Sequence, residues 1–159
     1  MIEKKGLGQA YPEGLDRARE EAWRAFITAY AVGIEGIERG LAEAGLPPLG
    51  WYDVLLELSV APGRRLRMHE LARAVVLSRS GLTRLVDRLE GAGLLRREPT
   101  PEDRRGSFAV LTEEGARMRR RMWPVYARGI AEHFGRHLDD DEVRVLSEAL
   151  RRVSGARSV

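Results

Sequence analysis

The feature that most constrains the fold is a pair of short amphipathic segments with almost no chain between them. Apolar residues recur every three or four positions in residues 68–76 and again in residues 78–90, which predicts two helices. Only Leu77 separates them. Helices joined by so short a junction must cross at a steep angle and pack together, as in a helix-turn-helix. We predict that Ser78 caps the second helix and that Gly91 helps to end it.

After this second helix the pattern changes from helical to extended. Residues 94–98 and 107–111 are each predicted to form a short strand, and the segment between them is rich in charge and turn-forming residues. Two strands joined by a charged loop make a hairpin, or wing. Arg104 and Arg105 lie in its loop, where adjacent guanidinium groups can reach a minor groove or the flanking phosphates of DNA.

Long helices are predicted on both sides of this central region. Large apolar residues follow one helical stripe over residues 15–41. Two more helices are predicted to begin after Thr112 and at the acidic run that starts with Asp139, and Pro124 should kink the first of them. Three glycines weaken the second half of the N-terminal helix, which suggests that another backbone approaches it closely. The predicted fold class is therefore mainly α, with a small β component.

The composition limits the classes of function that the chain can have. The 159 residues carry 27 basic and 24 acidic side chains, for a net charge of +3, and nearly all the basic ones are arginine, which suits phosphate and guanine. The absence of cysteine excludes disulfides, thiolate metal sites and thiol redox switches. No glycine-rich phosphate loop, paired nucleophile and base, or metal-ligand cluster is found, so neither an enzyme nor a cofactor is expected. No apolar run suits a membrane or a signal segment, and we expect a cytoplasmic protein.

The second helix of the pair presents a polar face opposite its leucines. Hydroxyl and guanidinium groups on such a face contact base edges and phosphates when a helix enters the major groove. The candidate residues are Ser78, Arg79, Ser80, Thr83, Arg84 and Arg88. The alternative is an ordinary solvated face on which Asp87 pairs with Arg84.

The central part of the chain resembles the MarR (multiple antibiotic resistance regulator) family of winged-helix repressors. The resemblance is carried by Leu71-Ala72, by the continuous segment from Leu77 to Leu94, and by Asp103-Arg104-Arg105 followed by Leu111-Thr112-Glu113-Glu114-Gly115. It implies that the helix from Ser78 to Arg88 enters the major groove, that the wing arginines contact DNA, and that the operator is pseudo-palindromic. It also implies a homodimer in which the N- and C-terminal helices of two subunits interlock. Phe108 departs from the more usual polar or β-branched residue of the family, and it either packs or contacts sugar.

The resemblance implies three parts of the chain. Residues 1–48 would hold an N-terminal dimerisation helix, residues 49–112 the winged helix-turn-helix lobe, and residues 113–159 the C-terminal dimerisation helices. In the resembled family, small phenolic or other aromatic anions often bind in the cleft between the dimer layer and the lobe. Trp51, Tyr52 and Asp53 occupy that position, and the two aromatic side chains either stack on such a ligand or belong to the core.

The three histidines of the chain are candidate metal ligands. His133 and His137 lie four residues apart beside an acidic run, and His69 stands at the start of the first helix of the pair. Without a third ligand at fixed spacing, these histidines fit a surface or a subunit interface better than a metal site.

The sequence thus predicts a transcriptional regulator, most simply a repressor, that binds double-stranded DNA. The resemblance further implies a homodimer and release from DNA by a small aromatic or anionic ligand. The alternative is a winged-helix protein-interaction or architectural DNA-binding module without a specific operator. Salt dependence and sequence preference distinguish the two.

Overall fold

The computed structural model describes residues 12–75, 81–100 and 103–155, with the backbone alone at 103–105. In these residues the chain forms, in order, α1 (Arg17–Glu43), α2 (Leu49–Val60), β1 (Arg65–Arg67), α3 (Met68–Ala74), α4 (Leu82–Gly91), β2 (Leu95–Thr100), β3 (Asp103–Leu111), α5 (Glu113–His133) and α6 (Asp140–Val153). This confirms the predicted mainly helical fold with a winged helix-turn-helix. Within the described part of the chain, no helix is both long and apolar enough to cross a membrane.

The winged lobe is built around one apolar core. Leucines and valines from α2, α3 and α4 meet the inner side of the sheet there, and several of them are completely buried. The four buried residues of α4 are Leu82, Leu85, Val86 and Leu89, which lie on one side of the helix because they are three or four positions apart. The lobe can therefore fix the orientation of α4 with contacts from its own chain.

The sheet has three antiparallel strands in the order β1-β3-β2. The two wing strands confirm the predicted hairpin, although they extend further toward its tip than residues 98 and 107. The hydroxyl of Thr100 is buried near that tip and donates a 2.8 Å hydrogen bond to the carbonyl of Gly106. β1 is a strand that sequence analysis did not predict. Its three residues become a strand because the free edge of β3 accepts them.

A second, smaller core lies between α1, the start of α2 and α5. Ile37, Leu41 and Met122 are buried in it together with Leu49 and Tyr52. At Gly36 the approach is so close that an added Cβ would lie 2.4 Å from Nε2 of His133. The predicted close approach to α1 is therefore made, at this position, by a side chain of α5 rather than by its backbone.

The starts of α5 and α6 agree with the prediction. The Thr112 hydroxyl accepts a 3.0 Å hydrogen bond from the Gly115 N–H at the start of α5, and Asp139 accepts a 2.9 Å bond from the Glu142 N–H at the start of α6. α5 then continues through Pro124 to its end. Ser78 lies outside the described residues, and the prediction that it caps the recognition helix is wrong for the described helix. α4 begins after Gly81, whose left-handed φ of +81° does not belong to a continuous right-handed helix.

Candidate nucleic-acid interface

The exposed side of α4 is the centre of the predicted site. Thr83, Arg84 and Arg88 are all exposed, on the side of the helix away from its buried leucines. Ser78, Arg79 and Ser80, which were predicted to continue this face, lie outside the described residues. The described part of the predicted face is thus a hydroxyl and two guanidinium groups on a helix whose opposite side is held in the core.

Asp87 on the same helix has a different partner from the one that sequence analysis considered. Its Oδ1 lies 2.6 Å from Nη2 of Arg97 on β2, so the alternative of an Asp87–Arg84 pair is wrong. Arg97 also binds Glu90 of α4, with its guanidinium group and with its backbone N–H at 2.8 Å. Burial acts to lower the pKa of Arg97, but the bonds to Asp87 and Glu90 outweigh it and raise that pKa. One arginine therefore ties the wing to the recognition helix.

The guanidinium groups of Arg84 and Arg88 stand in contrast to that of Arg97. Among the residues that the structure describes, neither has an ion pair with a carboxylate. Both line an open hollow of about 250 Å³ between α1, α2 and α4, to which Glu38 and Trp51 also contribute. The indole Nε1 of Trp51 is buried and has no hydrogen-bond partner in the described residues. The hollow places an aromatic ring and two cations beside the recognition helix.

The wing carries the second part of the predicted site. Arg104 and Arg105 belong to β3, close to the hairpin tip, and their side chains lie outside what the structure describes. Phe108, further along β3, packs against two arginines of β1. The guanidinium carbons of Arg65 and Arg67 lie 4.8 and 5.2 Å from the centre of its ring. Sequence analysis missed this cluster because it depends on the pairing of β1 with β3.

The predicted ligand residues on α2 point to different places. Tyr52 is buried in the smaller core, where its ring centre lies 4.9 Å from that of Tyr126 and 6.3 Å from that of Trp123. Burial raises the pKa of Tyr126, and the negative charge of the neighbouring Asp53 raises it further. Tyr52 is therefore a core residue, as the alternative reading of the aromatic pair expected, whereas Trp51 lines the hollow beside α4.

Two of the three histidines lie at or near the end of α5. His133 is half-buried against Gly36, and His137 lies in a short 3-10 turn after α5. Among the described residues, no group of three or more histidine, aspartate or glutamate side chains is arranged to hold a metal ion.

A large apolar surface lies on the helices outside the lobe. On α1, Trp23, Phe26 and Tyr30 are 59, 44 and 49% exposed. α6 likewise has an apolar stripe, and its own chain buries none of its residues. Exposed aromatic side chains in such a row are typical of interaction surfaces.

Comparison with known proteins agrees with this geometry. A family model described as "MarR family" matches residues 44–106. The HTH-type transcriptional regulator MhqR of Bacillus subtilis (strain 168) is 30% identical over 137 residues, which are 84% of this chain and 92% of MhqR. The multiple antibiotic resistance protein MarR of Escherichia coli (strain K12) is 31% identical over 84 residues, or 53% of this chain and 58% of that protein.

Solved structures give the same result. Sco3205, a MarR family transcriptional regulator from Streptomyces coelicolor determined in complex with DNA, is 34% identical, has a TM-score of 0.79, and is matched over 93% of both chains. AbsC, a MarR family transcriptional regulator from the same organism, is 33% identical with a TM-score of 0.78, over 92% of this chain and 97% of AbsC. These relatives are regulators rather than enzymes. The chain belongs to the MarR family of winged helix-turn-helix, DNA-binding transcriptional regulators.

Proposed function

We propose that this regulator represses transcription by occupying a pseudo-palindromic operator as a symmetric homodimer, with one α4 in each of two successive major grooves. The observation that carries the proposal is the charge of the exposed side of α4. Arg84 and Arg88 have no carboxylate partner among the described residues, while the acidic side chains Asp87 and Glu90 are bound by Arg97. The side that faces outward therefore offers its positive charge to a phosphate or to a guanine.

The remaining predicted contacts extend this surface at both ends. Ser78, Arg79 and Ser80 precede Gly81, after which α4 begins, and the N-terminal part of a recognition helix is where base edges are contacted. Arg104 and Arg105 would reach the adjacent minor groove or its phosphates from the wing. The tie between Arg97 and α4 supports a joint action, because it holds helix and wing at a constant separation.

The dimer is proposed from the apolar face of the helical layer. Trp23, Phe26 and Tyr30 on α1 and the unburied stripe of α6 need a cover that the described chain does not supply. A second copy would supply it through the same helices, and a two-fold axis then matches the symmetry of a palindromic operator. The residues 1–48 and 113–159 would accordingly form the dimerisation layer around the lobe of residues 49–112.

A small aromatic anion is the proposed effector. The hollow beside α4 supplies the ring of Trp51 and the guanidinium groups of Arg84 and Arg88, which suit an aromatic carboxylate. Of the other predicted ligand residues, Asp53 would repel an anion and Tyr52 is in the core. Glu38 also lines the hollow, where its Oε1 accepts a 3.0 Å hydrogen bond from the Leu49 N–H. BpsR of Bordetella bronchiseptica, which shares the fold at 19% identity, is regulated in its DNA binding by 6-hydroxynicotinic acid. A ligand that takes up the same arginines as DNA would favour release, since it binds the free protein better.

Selection of bound sequences from a random DNA pool at moderate salt tests the operator. We expect an enriched inverted repeat with half-sites about 10 base pairs apart. Salt-sensitive binding without enrichment would contradict the proposal and favour an architectural or protein-docking module.

The variant Arg84→Ala tests the recognition helix on the selected operator. We expect a loss of about 1–3 kcal/mol in binding, measured by fluorescence anisotropy, with an unchanged melting temperature because the side chain is exposed. Arg144→Ala is the matched control, since Arg144 is an exposed arginine on α6 that pairs with Asp141. Normal operator binding by Arg84→Ala would show that α4 is misassigned.

The same anisotropy assay tests the effector. Adding 6-hydroxynicotinic acid should release wild-type protein from the operator and should release Trp51→Ala more weakly.

A further inference from the structure

The three-stranded sheet has an outer face that neither the core nor α4 uses. Strand pairing puts Arg65, Val110 and Arg96 in one row and Arg67, Phe108 and Glu98 in the next. Residues two apart on a strand share a face, so both rows lie on the same side of the sheet. The residues that alternate with them along the strands, among them Leu66, Ala109 and Leu95, belong to the core on the other side. We call the six residues of the two rows the outer wing face.

The arginines of the outer wing face are held by contacts with neighbouring side chains. Arg65 and Arg67 both stack on the half-buried ring of Phe108, at 4.8 and 5.2 Å. Nη2 of Arg96 lies 2.5 Å from Oε1 of Glu98, and Nη1 of Arg65 lies 4.0 Å from its Oε2. One ring and one carboxylate thus contact all three guanidinium groups, and such groups lose less freedom on binding a ligand than side chains without contacts would.

The charge of this face suits a polyanion. Of the six residues of the outer wing face, three are arginines and one, Glu98, is a carboxylate. Arg65 and Arg96 are each more than half exposed. Together with Pro62 and Glu98 they line an open hollow of about 470 Å³. A row of guanidinium groups with an open approach is typical of a surface that binds phosphates in succession.

The position of the outer wing face relative to α4 indicates which part of the DNA it can contact. Arg97 projects from the inner side of β2 to Asp87 and Glu90, so α4 lies on the inner side of the sheet. The outer wing face therefore lies on the side of the sheet opposite α4. With α4 in the major groove, as proposed, DNA would meet this face outside the half-site. Phe108 is five residues from Asp103 near the hairpin tip, which corresponds to about 17 Å along an extended strand. A flanking DNA backbone that bends toward the protein comes within reach of arginine side chains there.

We propose that the outer wing face binds the phosphate backbone of the DNA that flanks each operator half-site. The inference rests on the proposed docking of α4 in the major groove and extends it. Each subunit covers more DNA than its recognition helix and wing tip require, and the added contacts carry no sequence information.

Two operator duplexes of different length test this directly. One ends at the outer edges of the half-sites, about 20 base pairs, and the other carries about 10 additional base pairs of unrelated sequence on each side. We expect wild-type protein to bind the longer duplex about tenfold more tightly at low salt, with a salt dependence steeper by about 0.9 in log–log slope for each added phosphate contact.

The double variant Arg65→Gln, Arg96→Gln should lose this length advantage and keep its affinity for the short duplex. Glu98→Gln should increase the advantage, because it removes the one carboxylate of the outer wing face. Arg144→Gln is the control and should behave as wild type. Circular dichroism and melting temperature verify that each variant is folded.

A length advantage that survives in the double variant, or that is missing in wild-type protein, would overturn the inference. The second result would favour an acidic protein segment as the partner of this face. Failure of the proposed function looks different, because wild-type protein would then show no sequence-specific binding to the short duplex at all.

Discussion

The recognition helix and the last helix carry equally clear apolar stripes, yet only one of them is buried. α4 buries four of its 10 residues in the lobe, whereas α6 buries none of its 14. The difference is that α4 meets α2 and the sheet of its own chain, while the stripe of α6 and the aromatic side chains of α1 remain exposed. An amphipathic pattern therefore shows that a helix has a side to bury, but it does not show which chain buries it.

The largest effect is expected in the lobe. Leu85 is 5% exposed, and Leu85→Ala removes most of its side chain from a core that relaxes only partly around the gap. We expect a loss of about 2–5 kcal/mol in the free energy of unfolding, measured by urea denaturation. Thr83→Ala on the exposed side of the same helix is the control. A loss below about 1 kcal/mol would mean that the lobe core is looser than the structure shows.

The next effect concerns the helical layer and should depend on protein concentration. Phe26→Asp places a charge on the exposed stripe of α1, so it should weaken the proposed dimer by at least about 2 kcal/mol, the size of an interface hot spot. Sedimentation equilibrium measures this change. Val60→Asp, at a residue of the lobe that is 70% exposed, should leave the association unchanged. An unaltered dimer in Phe26→Asp would transfer the interface to another surface.

A smaller effect tests the packing inside the layer. In Gly36→Ala the new methyl group would lie 2.4 Å from Nε2 of His133, so the imidazole ring must move, at a cost of about 1–3 kcal/mol. The double variant Gly36→Ala, His133→Ala should recover part of this loss. Gly33→Ala is the matched control on the same helix, because nothing lies within 4 Å of its added Cβ, and it should stabilise α1. Equal melting temperatures for the two single variants would rule out the close contact.

The smallest effect is a pH dependence in the lobe. Burial raises the pKa of Glu57 on α2, so the folded state prefers its protonated form. The stabilising contribution is complete below the pKa of the unfolded chain and is lost as the pH rises through the higher folded pKa. Glu57→Gln should therefore raise the melting temperature at pH 7, on the order of 1 °C, and much less at pH 4. A difference that does not change with pH would contradict this origin.

Much of the fold could be predicted from local signals. The start of α5 at Thr112 and that of α6 at Asp139 were predicted from capping residues and acidic first turns, which act over three or four residues. The hairpin was predicted from a change of periodicity. The start of α4 was not, since Ser78 is a good cap by residue type, whereas the described helix begins after the left-handed Gly81.

The residues on the exposed side of α4 could be predicted from the sequence, but the ion pairs that they form could not. The exposed positions of Thr83, Arg84 and Arg88 follow from helical periodicity, because a helix that buries leucines on one side must expose the other. The partner of Asp87 could not be predicted, since a residue on the same helix and one on a strand offer the same charge. Proximity in the folded chain favours Arg97.

By itself, the sequence determined the helices and the hairpin, their apolar sides, and the arginine-rich character of α4 and the wing, because each depends on neighbours within a few positions. Only the tertiary structure decided that Arg65-Leu66-Arg67 becomes a strand, that Phe108 lies under two guanidinium groups, and that Arg97 ties the wing to α4. Those contacts join residues that are separated by 10 positions, for Arg97 and Asp87, to 45 positions, for Arg65 and Val110. Such contacts form only when the core has brought the elements together, and local sequence carries no signal for them.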